Sequence, residues 1–136
     1  MTIRSFVFSL LTTDTTLIAL GITADSVFTT HDVDTPQVRP MIVLRWGLTD
    51  NVLNRSPIAS RGLQVWVHDQ PGDYERIETI LRRVRTLLTS VSAQNAGASD
   101  AWVSEIKWER FSEDLSDEDA GTIARNGDFT ITGSAA

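Results

Sequence analysis

A strand followed by one long amphipathic helix constrains the fold of this sequence most strongly. In residues 63–68 apolar Leu63, Val65 and Val67 alternate with Gln64, Trp66 and His68, as in a strand with one buried face. After a turn at Pro71-Gly72, apolar residues recur at spacings of three and four, which predicts a helix with one apolar face. These residues are Ile77, Ile80, Leu81, Val84, Leu87, Leu88 and Val91. Such a face must be covered, and the preceding strand is the nearest element.

The segments before this helix predict two short helices and two further strands. Thr2 and Asp14 are suited to begin short helices, and Asp73 the long one, because their side-chain oxygens can accept hydrogen bonds from first-turn amides. Residues 26–30 and 41–46 are rich in β-branched and aromatic side chains, so they predict strands.

The remaining segments predict loops and two last strands. Residues 47–60 contain Asp, Asn and Pro and predict a long loop, and residues 92–100 predict a polar loop. Residues 102–108 and 129–132 predict strands, with a turn at Asn126-Gly127. In the first of these strands, alternation places Trp102, Ile106 and Trp108 on one face and Val103, Glu105 and Lys107 on the other.

Strands grouped around one principal helix predict an α+β domain. We expect a mostly antiparallel, mixed sheet of about five strands, packed on the long helix, with the short helices at the N-terminus. The uncovered face of the sheet would carry Trp66 and would be available to a partner. A length of 136 residues fits a single domain, 1–136, and we expect residues 132–136 to be flexible.

Composition excludes several classes of function. The formal net charge of −6 argues against general nucleic-acid binding, which requires a basic surface. The sequence has no cysteine, which excludes disulfides, thiolate catalysis and cysteine metal sites. No apolar run approaches the roughly 20 residues that span a bilayer, and the apolar N-terminal segment is too short for a signal peptide. We therefore expect a mature, cytoplasmic N-terminus.

Two histidines are the candidates for catalysis or metal binding. His31 lies near Asp32 and Asp34 in a polar segment that predicts a turn more than a metal site. His68 and Asp69 could act as a general base and its orienting carboxylate, but no nucleophile lies near them in the sequence. We therefore expect no enzymatic activity, no metal and no cofactor, and keep a small hydrolytic or ligand-binding domain as an alternative.

Several strings resemble the tail terminator (tail completion) proteins of long-tailed, siphovirus-like bacteriophages. They are Val65-Trp66-Val67-His68, Gly72-Asp73-Tyr74 and Arg85-Thr86-Leu87-Leu88, followed by Glu113-Asp114-Leu115-Ser116-Asp117 and Asp128-Phe129-Thr130-Ile131-Thr132. The resemblance covers nearly the whole chain and includes the two short N-terminal helices. Head–tail connector (neck or stopper) proteins of similar size are the alternative.

The resemblance implies a virion structural protein without catalytic residues. Members form a ring, usually a hexamer, that caps the completed tail tube, stops its polymerisation and joins the tail to the neck of the head. The implied partners are further copies of the chain, the major tail tube protein and a neck or head-completion protein. DNA passes through the lumen without specific binding. The implied location is the head-proximal end of the tail, and the host cytoplasm during assembly.

A cyclic ring requires two different, complementary patches on each subunit, and opposite charges would set their register. We expect the helix arginines to form one patch and the acidic segment the other, and the 47–60 loop to face the tube or the lumen. The candidate interface residues are Arg76, Arg82, Arg83, Glu113, Asp114, Asp117, Glu118 and Asp119; the candidate loop residues are Asp50, Asn51, Asn54 and Arg55. Two unrelated solvated surfaces remain the alternative interpretation of the charged patches.

Overall fold

The computed structural model describes residues 2–29, 39–51, 58–72, 74–95, 102–117 and 121–134. The helices are α1 (Ile3–Thr13), α2 (Thr15–Ala19) and α3 (Tyr74–Thr89), with a 3-10 turn at Ala24–Ser26. The strands are β1 (Val27–Phe28), β2 (Met41–Asn51), β3 (Ile58–Asp69), β4 (Ser92–Asn95), β5 (Trp102–Phe111), β6 (Leu115–Asp117) and β7 (Thr122–Ser134). The predicted α+β class is confirmed.

All seven strands belong to one sheet, in the order β1-β2-β3-β7-β5-β4. Only β1 pairs in parallel, with β2, and the other pairings are antiparallel, so the sheet is mixed and mostly antiparallel as predicted. The short strand β6 pairs with the first residues of β7 and prolongs the line of β5 beside it. The three longest strands, β2, β3 and β7, therefore lie next to one another at the centre.

The helices cover one face of this sheet, here called the helix face. The apolar side of α3 buries Ile77, Ile80, Leu81, Val84 and Leu88, as its spacing predicts. In β3 the alternation is also as predicted, because Leu63, Val65 and Val67 join these residues in one core cluster. The other face, here called the open face, carries Gln64 and Trp66 of β3, both half-buried.

The capping residues begin the N-terminal helices as predicted. The Thr2 side chain accepts a hydrogen bond from the Ser5 amide at 3.1 Å, and the Ser5 hydroxyl accepts one from the Thr2 amide at 2.9 Å. Asp14 Oδ2 accepts from the Leu17 amide at 3.0 Å and begins α2. Asp73 lies outside the described residues.

Several predicted boundaries were wrong. The loop predicted over 47–60 is largely strand, because β2 continues to Asn51 and β3 already begins at Ile58. The strand predicted over 26–30 contains only Val27–Phe28, since Ser26 ends a 3-10 turn. Part of the loop predicted over 92–100 is the edge strand β4. Polar composition alone did not distinguish these edge and hairpin strands from loops.

The predicted turn at Asn126-Gly127 was wrong as well, because both residues lie inside β7. Gly127 makes room for two aromatic rings: a Cβ there would lie 3.1 Å from Phe129 Cε2 and 3.3 Å from Phe111 Cδ1. The glycine is thus needed for packing between strands, although the local sequence predicts a turn there. The same strand continues through Thr132 to Ser134, within the segment that the sequence predicts to be flexible.

A bulge in β5 overturns its predicted alternation. The pairing of β5 with β7 shifts register between Val103 and Glu105, and an extra residue in one strand reverses the facing of all residues beyond it. Val103 therefore joins Ile106 in the buried core instead of lying opposite it. Trp108 packs against the same core, on the helix face, as its spacing from Ile106 predicts.

Candidate subunit interface

The three α3 arginines predicted at a subunit interface have carboxylate partners within the chain. Arg76 donates from Nε and Nη2 to Asp69 at the end of β3, both at 2.5 Å. Arg83 donates from Nε and Nη2 to the two oxygens of Asp14, at 3.0 and 2.7 Å.

Arg82 differs from the other two because it pairs with Glu78 on α3 itself, at 2.7 Å, and its side chain is 71% exposed. Arg76 and Arg83 hold α3 against the sheet and the N-terminal helices, so Arg82 is the most solvent-exposed cation of the predicted patch. The role of these residues at an interface stays a prediction.

Hydrogen bonding sets the charge state of the Asp14–Arg83 pair. The Arg83 guanidinium lowers the pKa of Asp14 below its ordinary value of 3.8, although partial burial opposes this shift and the Leu17 amide adds to it. The Asp14 carboxylate in turn raises the pKa of Arg83. Both groups are therefore charged throughout the neutral range.

The acidic segment follows β5 in the chain and continues into β6. Glu113 and Asp114 are exposed, and Asp117 lies in β6, whereas Glu118 and Asp119 lie outside the described residues. Asp114 Oδ1 lies 3.5 Å from Arg125 Nε, a long ion pair. Tyr74 at the start of α3 donates its hydroxyl to the Leu115 carbonyl at 3.1 Å, which fixes this segment beside the helix.

Within the predicted tube- or lumen-facing loop, the described residues belong to the end of β2 and the start of β3. Asp50 and Asn51 lie in β2 and pair with Ser60 and Ala59 of β3. Asn54 and Arg55 lie outside the described residues. The hairpin end lies beside the C-terminal end of β7, because Ile58 pairs with Ser134.

His68 and Asp69 do not form a catalytic pair, because successive strand residues point to opposite faces. His68 lies on the open face, 5% exposed, with its Nδ1 3.0 Å from Thr122 Oγ1. Asp69 is completely buried on the helix face and accepts hydrogen bonds from Arg76 and from the Gln70 amide. His31 lies outside the described residues.

A groove of about 440 Å³ crosses the open face, a feature that the sequence prediction missed. Adjacent Gly47 and Gly62 leave its floor without side chains; a Cβ on Gly47 would lie 3.6 Å from the Gly62 Cα. Asp128 at its side accepts hydrogen bonds from Arg110 Nε and Asn126 Nδ2, each at 2.9 Å. Arg110 and Asp128 pair with each other in this groove, whereas Arg45, which also lines it, has no carboxylate within salt-bridge distance among the described residues.

Trp46 in β2 and Trp108 in β5 lie on the helix face and pack against the core. Each is covered by an arginine: Arg4 Cζ lies 5.5 Å from the centroid of the Trp46 ring, and Arg85 Cζ lies 3.8 Å from that of Trp108. These rings therefore serve packing within the subunit.

Arg61 is a buried cation on the helix face. Its Nη2 donates to the Ser134 carbonyl at 2.6 Å, and the residue is 9% exposed. Burial lowers the pKa of Arg61, and the positive charge of nearby Arg4 lowers it further.

Over the described part of the chain, no helix is long and apolar enough to cross a membrane. Those same residues contain no group of three or more His, Cys, Asp or Glu side chains arranged to hold a metal ion.

No protein-family model matches the chain, and no curated protein matches its sequence. Among solved structures, the chain is similar to a chain of the virion of a native gene transfer agent (GTA) particle. The TM-score is 0.79 at 13% sequence identity, and the match covers 98% of this chain and 96% of that chain. At this identity the likeness establishes a shared fold over nearly the whole length of both chains.

Proposed function

We propose that the chain is a virion structural protein, specifically a tail terminator that forms a hexameric ring on the end of a completed tail tube. The observation that carries the proposal is the full-length fold similarity to a chain of a GTA virion. The sequence resemblance to tail terminators supports the same assignment independently. The ring stops polymerisation of the tube and offers its other side to the neck of the head.

The proposed role is non-enzymatic. The alternative, a hydrolytic or ligand-binding domain using His68 and Asp69, requires both side chains at one site. They lie on opposite faces of β3, and the Asp69 carboxylate is already bound by Arg76. This geometry favours structural work over catalysis.

We propose that the protein resides at the head-proximal end of the tail after assembly in the host cytoplasm. Its partners are further copies of itself, the major tail tube protein and a neck protein. DNA passes through the lumen without specific binding, because a chain of net charge −6 repels the phosphate backbone more than it attracts it. Our candidates for contact with the tube or the lumen are Asp50 and Asn51 at the end of β2, together with Asn54 and Arg55, which lie outside the described residues.

The test is the mass of the purified protein in solution by light scattering, followed by negative-stain imaging with purified tail tubes and, separately, with DNA-filled heads. A terminator forms rings alone or caps confined to one end of each tube. Binding to heads but never to tube ends would instead assign the protein to the connectors. A monomer that ignores both would overturn the virion assignment.

A further inference from the structure

Arg61 carries a buried charge that no carboxylate neutralises among the described residues. It lies in β3, between Thr49 of β2 and Ile131 of β7, and is only 9% exposed. Its Nη2 donates to the Ser134 carbonyl, which is a neutral acceptor, whereas its Nε is buried and has no hydrogen-bond partner. A buried ion is costly unless an opposite charge lies beside it and its donors are satisfied. The isolated subunit therefore leaves this guanidinium incompletely satisfied.

Arg4 brings a second positive charge to the same part of the helix face. It lies in the first turn of α1, where the helix dipole is positive, and its Cζ is 5.5 Å from the centroid of the Trp46 ring. Trp46 pairs with Leu63, which is two residues from Arg61 in β3. The Arg4 charge is close enough to Arg61 to help lower the pKa of that guanidinium.

Neither Arg4 nor Arg61 has an ion pair within the described part of the chain. The arginines that do pair with a carboxylate there are Arg76, Arg82, Arg83, Arg110 and Arg125. A further donor, the buried Nε1 of Trp46, has no hydrogen-bond partner either, and it belongs to the ring that Arg4 covers. This region thus combines two positive charges with unused donors, which is the chemistry that binds an anion.

We infer that Arg61 and Arg4 form a binding site on the helix face for a small oxyanion, a phosphate or carboxylate ion. A guanidinium donates in a planar fork that matches the oxygens of these ions, and such charge-assisted bonds are stronger than bonds to a neutral carbonyl. Because Arg61 is only 9% exposed, the ligand must be small, and the exposed Arg4 provides its approach from solvent. The site does not depend on the ring proposed above.

Inorganic phosphate is the probe that tests this site. We would titrate the native chain with sodium phosphate at neutral pH, hold the ionic strength constant with sodium chloride, and follow the Tm by circular dichroism. The Tm should rise with a saturable dependence on phosphate, since a ligand that binds only the folded chain stabilises it. Acetate in place of phosphate should raise the Tm at higher concentrations, because it carries less charge.

Three variants assign the phosphate response to the two arginines. Arg61→Met and Arg4→Met each remove one positive charge but keep an unbranched side chain, and each should weaken phosphate binding by about tenfold or more. Without phosphate, Arg61→Met should be at least as stable as the native chain, because an apolar group replaces an unpaired buried charge. Arg61→Lys keeps the charge without the planar fork, so it should bind phosphate more weakly than the native chain even if Arg61→Met does not fold.

Arg45→Met is the matched control, because Arg45 also has no ion pair among the described residues but lies on the open face. It should keep the native response to phosphate. Phosphate also favours folding in general, since it is excluded from protein surfaces, and that effect should be equal in all variants. An equal rise of Tm in the native, Arg61→Met and Arg4→Met chains would therefore overturn the site. Loss of the saturable response in Arg45→Met alone would overturn it as well, in favour of the groove on the open face.

Discussion

Asp14 and Arg83, 69 positions apart, join the N-terminal helices to α3 through a two-point ion pair. The same carboxylate begins α2 by accepting a hydrogen bond from the Leu17 amide. One side chain thus satisfies the free amides of a short helix and also fixes where that helix lies on the longer one. The five-residue α2 is too short to be stable alone, so its position depends on such contacts.

We predict that Asp14→Ala lowers the free energy of unfolding by about 1–2 kcal/mol, because it removes the helix cap as well as the ion pair. Asp14→Asn should cost less, since asparagine also caps helices but cannot pair with Arg83 through a charge. Arg83→Ala should also cost less than Asp14→Ala, because it leaves the cap in place. Urea unfolding followed by circular dichroism measures all three.

Arg82→Ala is the control for this series, since Arg82 forms an exposed pair within α3 and should change stability little. Equal losses in Asp14→Ala and Arg82→Ala would show that Asp14 carries no special role.

The stabilisation by Asp14 should also depend on pH in one direction. Arg83 lowers the pKa of the folded-state carboxyl below 3.8, so the unfolded chain binds the proton more readily than the folded chain. The contribution is complete above pH 3.8 and is lost as the pH falls through the lowered folded-state pKa. The stability difference between the native chain and Asp14→Asn should therefore shrink in acid, measured by urea unfolding from neutral pH to below pH 3.8. A difference that stays constant over this range would contradict the assignment.

The fold class was predictable from the sequence because α3 and β3 carry undisturbed periodicities. Each apolar residue of α3 at a predicted core position from Ile77 to Leu88, except the half-buried Leu87, is buried. The errors arose where tertiary pairing decides the conformation. The polar residues at the end of β2 and the Asn126-Gly127 pair adopt strand conformation because neighbouring strands pair with them in the sheet. The local sequence pattern does not show this pairing.

The candidate interface was less predictable, because sequence shows charge but not pairing. The arginines of α3 stand out on a helical projection, yet Arg76 and Arg83 are held by Asp69 and Asp14. Arg45 has no distinguishing mark in the sequence, and only the structure shows that it lines the groove on the open face. Which charges remain available to a partner is therefore a property of the folded chain.

We predict that Ile80→Ala lowers the free energy of unfolding by about 2–5 kcal/mol, because it leaves a cavity between α3 and the sheet. Ile18→Ala is a control of the same chemistry in another helix. Ile80 is completely buried, whereas Ile18 is 45% exposed, so its truncation should stay within about 0.5 kcal/mol. Thermal and urea unfolding of both variants measure the contrast. Comparable losses of unfolding free energy in the two variants would contradict the exposure of Ile18, because they would show that its side chain is packed.

The last prediction concerns Gly133, which lies opposite the β5 bulge. A Cβ at this position would overlap the carbonyl oxygen of Trp102 and press on the Val103 Cα at 3.1 Å. Main-chain atoms cannot move aside as a flexible side chain can, so Gly133→Ala should destabilise the chain by roughly 1–3 kcal/mol. Gly62→Ala is the matched control in the neighbouring strand, because its Cβ would meet only the Gly47 Cα at 4.0 Å. It should be neutral or slightly stabilising, since alanine restricts the unfolded chain. Chemical denaturation of the two variants compares them directly, and a Gly133→Ala chain as stable as Gly62→Ala would show that the bulge in β5 yields without cost.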